Sequence, residues 1–439
     1  MKKIFMGLLA LVLLVSAGMV RASAADAVKL KVKNKEWKED AVFLKDGRLY
    51  ANPEALENGA RWKVSNKNGA FFAEVPVGKE KSSVRLPIGD DGLADLTFFA
   101  SQAGLKYTLN EKKKEIKFSR TKERKKEKKK EASDILFMWD PDNAYDSAQP
   151  FFSASQGKRI LSPTWGTYTQ LSGGRLYFPI SYVENAKSAG VGVMPLVNND
   201  FDPEQTARLM RDEKAQKTLA LSLGAYAEVY GLDGWNIDFE NMDPKDTALF
   251  TGFIKNLSQV MRQNGYKLSL DVTAIGTQKD SFWSSCYDRK ALASHVDYEI
   301  FMGYDQTAGG SAHAGPVAAY DWLDRSIRDL LREVPAKKLI LGIPFYTRVW
   351  SGEDGAVRSD VLTLQYTDEF IRRNKVNPQW KKEEQQFFAD WTVDGIRKRV
   401  WLEESRSIAE KQSLAEKYKL AGTAYWRYGF EDPAIYGKL

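Results

Sequence analysis

Past residue 134 the chain alternates eight times between a short apolar run of strand length and a longer stretch of helical character. The candidate strands fall at 135–139, 159–162, 191–197, 234–240, 267–274, 298–304, 339–345 and 422–426. Repeated βα units specify a parallel sheet covered by helices, because a strand joined to a parallel neighbour needs a long crossover. One crossover shows its helical period plainly: Phe250, Phe253, Ile254, Leu257 and Met261 recur at i, i+3, i+4, i+7 and i+11. Eight such units predict an α/β fold, a closed TIM (β/α)8 barrel. Between the seventh and eighth strands the chain spends longer than one helix needs. Gln379 to Trp401 reads there as a hairpin, with Gln386-Phe387-Phe388 and Arg399-Val400-Trp401 as strands, an insertion shaping one wall of a cleft.

In such barrels the chemistry sits at the C-terminal ends of the strands. The fourth candidate strand reads Asp233-Gly234-Trp235-Asn236-Ile237-Asp238-Phe239-Glu240. Alternation sends Asn236, Asp238 and Glu240 to one face and Trp235, Ile237 and Phe239 to the other. Same-face neighbours lie roughly 6–7 Å apart, so charge on one carboxylate raises the pKa of the next and keeps one acid protonated near neutral pH. The plain alternative is a strand ending in ordinary solvated acids. An inward carboxylate pair on a mostly apolar strand is costly unless something uses it. Tyr304-Asp305 ends the sixth strand, Tyr346 follows the seventh and Trp426 ends the eighth. Each aromatic alone also fits a core position, but together they converge on one rim.

The octapeptide resembles the catalytic strand of glycoside hydrolase family 18, the chitinase-like enzymes, whose pattern is Asp-Gly-x-Asp-x-Asp-x-Glu. Asp233, Gly234, Asp238 and Glu240 match it, and Asn236 stands where the family usually has Asp. Phe301-Met302-Gly303-Tyr304-Asp305 is similar to the sixth-strand signature, and Ala424-Tyr425-Trp426 to the last strand, whose tryptophan floors the sugar site. Leu341-Gly342-Ile343-Pro344-Phe345-Tyr346, followed by Trp350, fits the seventh strand. The resemblance runs from about Ile135 to Leu439. The Asn-Ile-Asp-Phe-Glu variant and Val400-Trp401-Leu402-Glu403-Glu404-Ser405 are similar to the spore-cortex and cell-wall lytic subgroup.

The resemblance implies hydrolysis assisted by the substrate, an exception among retaining glycosidases, which mostly use a second carboxylate as nucleophile. Glu240 would be the general acid and then the base for water. Asp238 would orient the 2-acetamido group and stabilise the oxazolinium it forms. Tyr304 would bond the acetamido carbonyl, Asp305 would contact the same sugar, and Trp426 would supply an apolar floor. Asn236, Tyr346, Trp350 and Asp233 join the implied substrate-binding set; Glu403 and Trp401 line the site or serve as a helix-start acid and a core aromatic. The implied substrate is a polymer containing N-acetylglucosamine, peptidoglycan or chitin. An amide at position 236 cannot exchange a proton with Asp238, so altered pH dependence is expected. Two other readings stay open: a non-catalytic, lectin-like glycan binder on the same barrel, and a divalent-cation site made from Asp233, Asp238 and Glu240.

The chain's 439 residues and 12 Trp exceed what one small domain needs. Met1-Lys2-Lys3, an apolar run from Ile4 to Val20 and Ala22-Ser23-Ala24 read as a signal peptide over 1–24, with an uncleaved anchor as alternative. No later segment approaches that apolar length, so a secreted or wall-associated bacterial protein without an integral membrane segment is expected after cleavage. Residues 28–120 repeat at an offset of 45: Asp46-Gly47 returns as Asp91-Gly92, Gly59 as Gly104, Trp62 as Tyr107 and Phe71 as Ile116. Each unit predicts a short helix, at 54–56 or 98–102, then a hairpin. The repeat resembles the copper amine oxidase N-terminal-like domain; having neither His nor Cys, it implies no copper, only interaction or spacing. Residues 121–134 include a Lys/Glu run with no apolar residue over 121–131, a solvated linker that could also meet acidic wall polymers given a net charge of +7. Residues 135–439 form the catalytic barrel. One Cys, Cys286, and two His, His295 and His313, exclude an internal disulfide and leave no zinc spacing, so neither metal nor cofactor is expected. Nucleic acid is a poor partner for an exported chain.

Overall fold

The computed structural model describes residues 135–432 except 146–156, 173–177 and 277–279, together with 435–436 and short stretches between 29 and 120. The signal segment at 1–24, the repeat helices at 54–56 and 98–102 and the linker at 121–134 lie outside the described residues. The chain divides into two compact units, one made mainly by residues up to Glu123 and one by most of the remainder.

The larger unit is a TIM barrel. Its parallel strands are Ile135–Asp140, Lys158–Thr167, a third strand in two pieces (Gly192–Val193 and Leu196–Asn198), Gly234–Asp238, Lys267–Val272, Tyr298–Phe301, Leu339–Pro344 and Gly422–Trp426. The eighth pairs with the first, Ile135 opposite Gly422 through Met138 opposite Tyr425, so the sheet closes without an edge. Pro195 interrupts the third strand because it has no N–H to give the ladder. The second strand runs past the expected 159–162, through Pro163 and Gly166, with a register shift between Thr164 and Thr167. Sequence punctuation there marks a bulge rather than an end.

Inward side chains of the first strand, Ile135, Phe137 and Trp139, fill the barrel with Ile160, Leu196, Ile300, Ile340 and Ala424. The helix Thr247–Asn264 packs outside the barrel against the fifth strand and against Phe239, with the predicted stripe of Phe250, Phe253, Ile254, Leu257 and Met261 all buried. Among the described residues no helix is long and apolar enough to cross a membrane.

The insertion is larger than a hairpin. The predicted pairing exists, with Phe388 opposite Trp401, but it belongs to a five-stranded antiparallel sheet of Arg358–Thr363, Tyr346–Ser351, Ile396–Leu402, Gln386–Val393 and Gln379–Lys381. The sheet has its own core of Val349, Leu362, Ala389, Val400 and Leu402 under Phe370 and Trp391. Glu403, wholly buried just past this sheet, accepts from Lys411 Nζ (2.8 Å), Ser407 Oγ (2.7 Å) and Gln386 Nε2 (2.8 Å). Lys411 and Ser407 lie on the next helix, Ser405–Lys417, so the charge ties insertion to barrel.

In the smaller unit, hairpins occur at Lys63–Lys67 with Ala70–Val77, extended by Glu80–Leu86, and at Leu105–Asn110 with Glu115–Arg120. Arg48–Ala51 pairs antiparallel with Ala94–Asp95. Leu49, Ala51, Ala94 and Leu96 are wholly buried. They form two pairs at the repeat offset of 45, and between them Tyr50 lies opposite Asp95, its own counterpart at that offset.

Lys411→Met is expected to destabilise the protein by about 3–5 kcal/mol, because it strands a buried carboxylate without its cation. Urea unfolding measures this, and Glu403→Leu combined with Lys411→Met should recover most of the loss.

Candidate active site

The fourth strand lies tight against the fifth: a Cβ on Gly234 would fall 2.0 Å from the Lys267 carbonyl oxygen, which explains glycine at that place in the motif. Outside the barrel, Trp235 donates to the Leu223 carbonyl (2.9 Å) and Phe239 stacks on Phe253 at 5.8 Å. This packing turns Asn236 and Asp238 inward. The strand ends at Asp238, earlier than periodicity predicts, because the backbone of Glu240 leaves the ladder for Asn199. Glu240 N donates to Asn199 Oδ1 (3.1 Å), while Asn199 Nδ2 donates to the Glu240 carbonyl (2.7 Å) and to Thr206 Oγ1 (2.9 Å). Tyr287 Oη donates to the Phe239 carbonyl (2.9 Å), so the turn carrying Glu240 is held on both sides.

Burial pushes Asp238 up to about 7. Burial, then the charges of Asp238 and Asp305, push Glu240 up to about 9. Glu240 therefore carries its proton at neutral pH, the condition for a general acid. Asp271, on the fifth strand, is also raised well above the usual carboxylate range, by burial first and by Asp238 next.

Rings wall the site. Trp426 stands 5.8 Å from Trp139 and 6.3 Å from Tyr304, centroid to centroid, and Tyr304 stands 6.4 Å from Tyr346. Tyr346 Oη donates to Asp305 Oδ1 (2.7 Å), with the Arg348 guanidinium 3.8 Å from the same oxygen. Glu240, Asp238, Tyr304, Asp305, Tyr346 and Trp426 thus share the C-terminal end of the barrel.

Three residues of the implied binding set lie elsewhere. Asp233 is at the foot of the fourth strand, where its carboxylate accepts from Val193 N (2.9 Å) and splints the third strand at the barrel's other end. Trp350 is wholly buried and donates to the Gly315 carbonyl (2.8 Å), leaving no ring face for a sugar. Asn236 is enclosed in the barrel, accepting from Ser269 Oγ (2.6 Å) and donating to Asp271 Oδ2 (2.7 Å). Glu403 and Trp401 belong to packing: Glu403 is locked by Lys411, and Trp401 lies 4.6 Å from Phe388.

Sequence reasoning passed over Asn199, Asp271 and Trp139. The signals were present: Asn198-Asn199-Asp200 closing an apolar strand, and Asp271 as a lone acid inside Leu268-Ser269-Leu270-Asp271-Val272. Cys286 is buried, and burial pushes its thiol up to about 11, against a nucleophilic role. Among the described residues no group of three or more His, Cys, Asp or Glu is placed to hold a metal ion.

A TIM barrel that presents a protonated glutamic acid beside a buried aspartate, within a wall of aromatic rings, has the composition of a glycosidase site. The family is fixed independently. The model of the glycosyl hydrolases of family 18 matches residues 147–431, well over half the chain, and the chain belongs to that family. It is 27% identical over 266 residues to "Uncharacterized glycosylase YvbX" of Bacillus subtilis, covering 59% of this chain and 77% of that one. It is 26% identical over 247 residues to the "Cortical fragment-lytic enzyme" of Bacillus subtilis, covering 54% and 56%. The chain therefore spans only a little over half of this second relative. In fold it is similar to a solved chitinase from Chromobacterium violaceum (TM-score 0.62, 24% identity, 69% of this chain and 97% of that one).

Glu240 binds its proton more tightly folded than unfolded. Stability should therefore fall as pH rises from the ordinary carboxylate range towards 9, by up to about 1.4 kcal/mol per pH unit for one proton. Glu240→Gln removes this titration, so its gain in urea midpoint over wild type is expected to be larger at pH 8 than at pH 4.

Proposed function

We propose that this glycosidase cleaves β-1,4 bonds at N-acetylglucosamine in peptidoglycan or chitin-type glycans, with retention, using the substrate's own acetamido oxygen as nucleophile. The observation that carries the reading is Glu240: an acid raised to about 9, pinned at a strand end by Asn199, beside a buried Asp238. Glu240 protonates the departing oxygen and afterwards takes a proton from water. Asp238, as an anion, steadies the positive charge of the cyclised acetamido group. Tyr304 reaches the acetamido carbonyl, and Trp426 gives the sugar an apolar floor beside Trp139. Asp305, oriented by Tyr346, contacts the same sugar. Its similarity to a cortical fragment-lytic enzyme and to a chitinase supports substrates of this class.

On this reading residues 1–24 direct export, 28–120 form an interaction or spacer domain and 121–134 a basic linker able to meet acidic wall polymers. The protein acts outside the bacterial cell or on its wall.

Reducing-end release from purified peptidoglycan and from N-acetylglucosamine oligomers tests the proposal. Glu240→Gln is expected to lower kcat by about 100- to 10,000-fold, the usual contribution of a general acid, without loss of glycan binding. Plain glucans should give no release. If wild type binds these glycans but releases nothing across the pH range, the lectin-like reading replaces this one.

A further inference from the structure

Two enclosed carboxylate oxygens inside the barrel have no hydrogen-bond partner: Asp238 Oδ1 and Asp271 Oδ1. Their strands are neighbours. Asn236 lies opposite Ser269 and Ile237 opposite Leu270; the register carried one residue further sets Asp238 opposite Asp271, on backbones about 4.8 Å apart. Both side chains take the inward face, two residues beyond the bonded pair of Asn236 and Ser269. The second oxygen of Asp271 is occupied, since Oδ2 accepts from Asn236 Nδ2 at 2.7 Å and from Trp139 Nε1 at 3.3 Å. Two donors hold negative charge on Oδ2, so a proton on Asp271 resides on Oδ1. Two bare carboxylates side by side in a buried site repel each other, whereas one proton between them turns repulsion into a short O–H···O bond and satisfies both orphan atoms.

We infer that Asp271 is a positioning residue for the reaction: it shares one proton with Asp238 and holds that proton whenever Asp238 must be an anion. The inference rests on the glycosidase reading above. Asn236 cannot do this work, because its amide has no acidic proton to exchange and both its ends are engaged, by Ser269 and by Asp271. It aims Asp271 instead. As positive charge gathers on the cyclised acetamido group, the proton passes from Asp238 Oδ1 to Asp271 Oδ1. One O–H bond breaks, one forms, and no electrons are gained or lost. Neutral Asp271 then donates back to anionic Asp238. When water has opened the ring, the proton returns.

The test compares wild type, Asp271→Asn and the exchange Asn236→Asp/Asp271→Asn on N-acetylglucosamine oligomers across a pH series. Asp271→Asn is expected to lower kcat by about 100-fold with KM nearly unchanged, and to move the acid limb of the kcat profile. The exchange puts one carboxylate and one amide back on swapped strands and should recover kcat to within about tenfold of wild type. A folded Asp271→Asn with wild-type kcat and pH profile overturns the inference. So does a folded, inactive exchange variant; if Asp271→Asn fails to fold, the exchange decides. Should wild type release nothing, the substrate reading fails separately, and infrared absorption still reads the proton. Asp238→Asn is expected to lose one carboxylic-acid equivalent from the resting protein. An unchanged carboxylic-acid band would mean the two residues share nothing.

Discussion

Like-charge repulsion between buried carboxylates is the constraint around which this molecule is arranged. Asp238, Asp271 and Glu240 lie within reach of one another's fields, and burial raises all three above ordinary carboxylates. Three anions could not persist there, so the site must retain protons at neutral pH. The surrounding structure divides the work: Asn236 and Trp139 load one oxygen of Asp271 with donors, and Asn199 fixes the backbone of Glu240 without touching its carboxyl. The polar groups that orient the acids are thus themselves neutral, and they steer protons without adding charge.

The rim obeys a second rule. Asp305 is exposed and sits in left-handed backbone at φ 52°, just past the sixth strand. It is steadied from the insertion, by the hydroxyl of Tyr346 and the guanidinium of Arg348, both on the strand Tyr346–Ser351. That strand is fixed in turn by its own sheet, and past the sheet by Glu403 with Lys411. A buried ion pair contributes little to stability by itself. Here its geometry joins the helix Ser405–Lys417 to the insertion, so a contact with substrate at Asp305 depends on packing far from the substrate.

Much of this was legible in the sequence because two periods were clean. The 3.6-residue stripe from Phe250 to Met261 and the period-two alternation through Asp238 each had one solution, and the barrel followed from eight repetitions. Where the reading went astray, a local signal was outweighed by a tertiary one. Pro163 and Gly166 look like the end of a strand, yet the second strand continues through them as a bulge. Trp350 follows the seventh strand closely enough to suggest a sugar platform, but its N–H is consumed by Gly315 and its rings are enclosed. Asp233 shares a motif with Glu240 and still works at the opposite end, because the six residues between them carry the chain from the foot of the barrel to its mouth.

Asp271 was the hardest residue to see, and the reason is physical. A motif reports neighbours along the chain, whereas proton exchange depends on neighbours across a sheet. At position 236 the chain has an amide where its family usually has an acid, and read along the strand this is a loss. Across the sheet it is accompanied by an acid on the fifth strand, bonded to that same amide and opposite the same Asp238. Asp238 then keeps an acid neighbour, which stands beside it on the fifth strand in place of two residues before it on its own. Parallel register makes that exchange possible: side chains at equal height on adjacent strands stand closer to each other than to the next same-face residue of their own strand, about 4.8 Å against 6–7 Å.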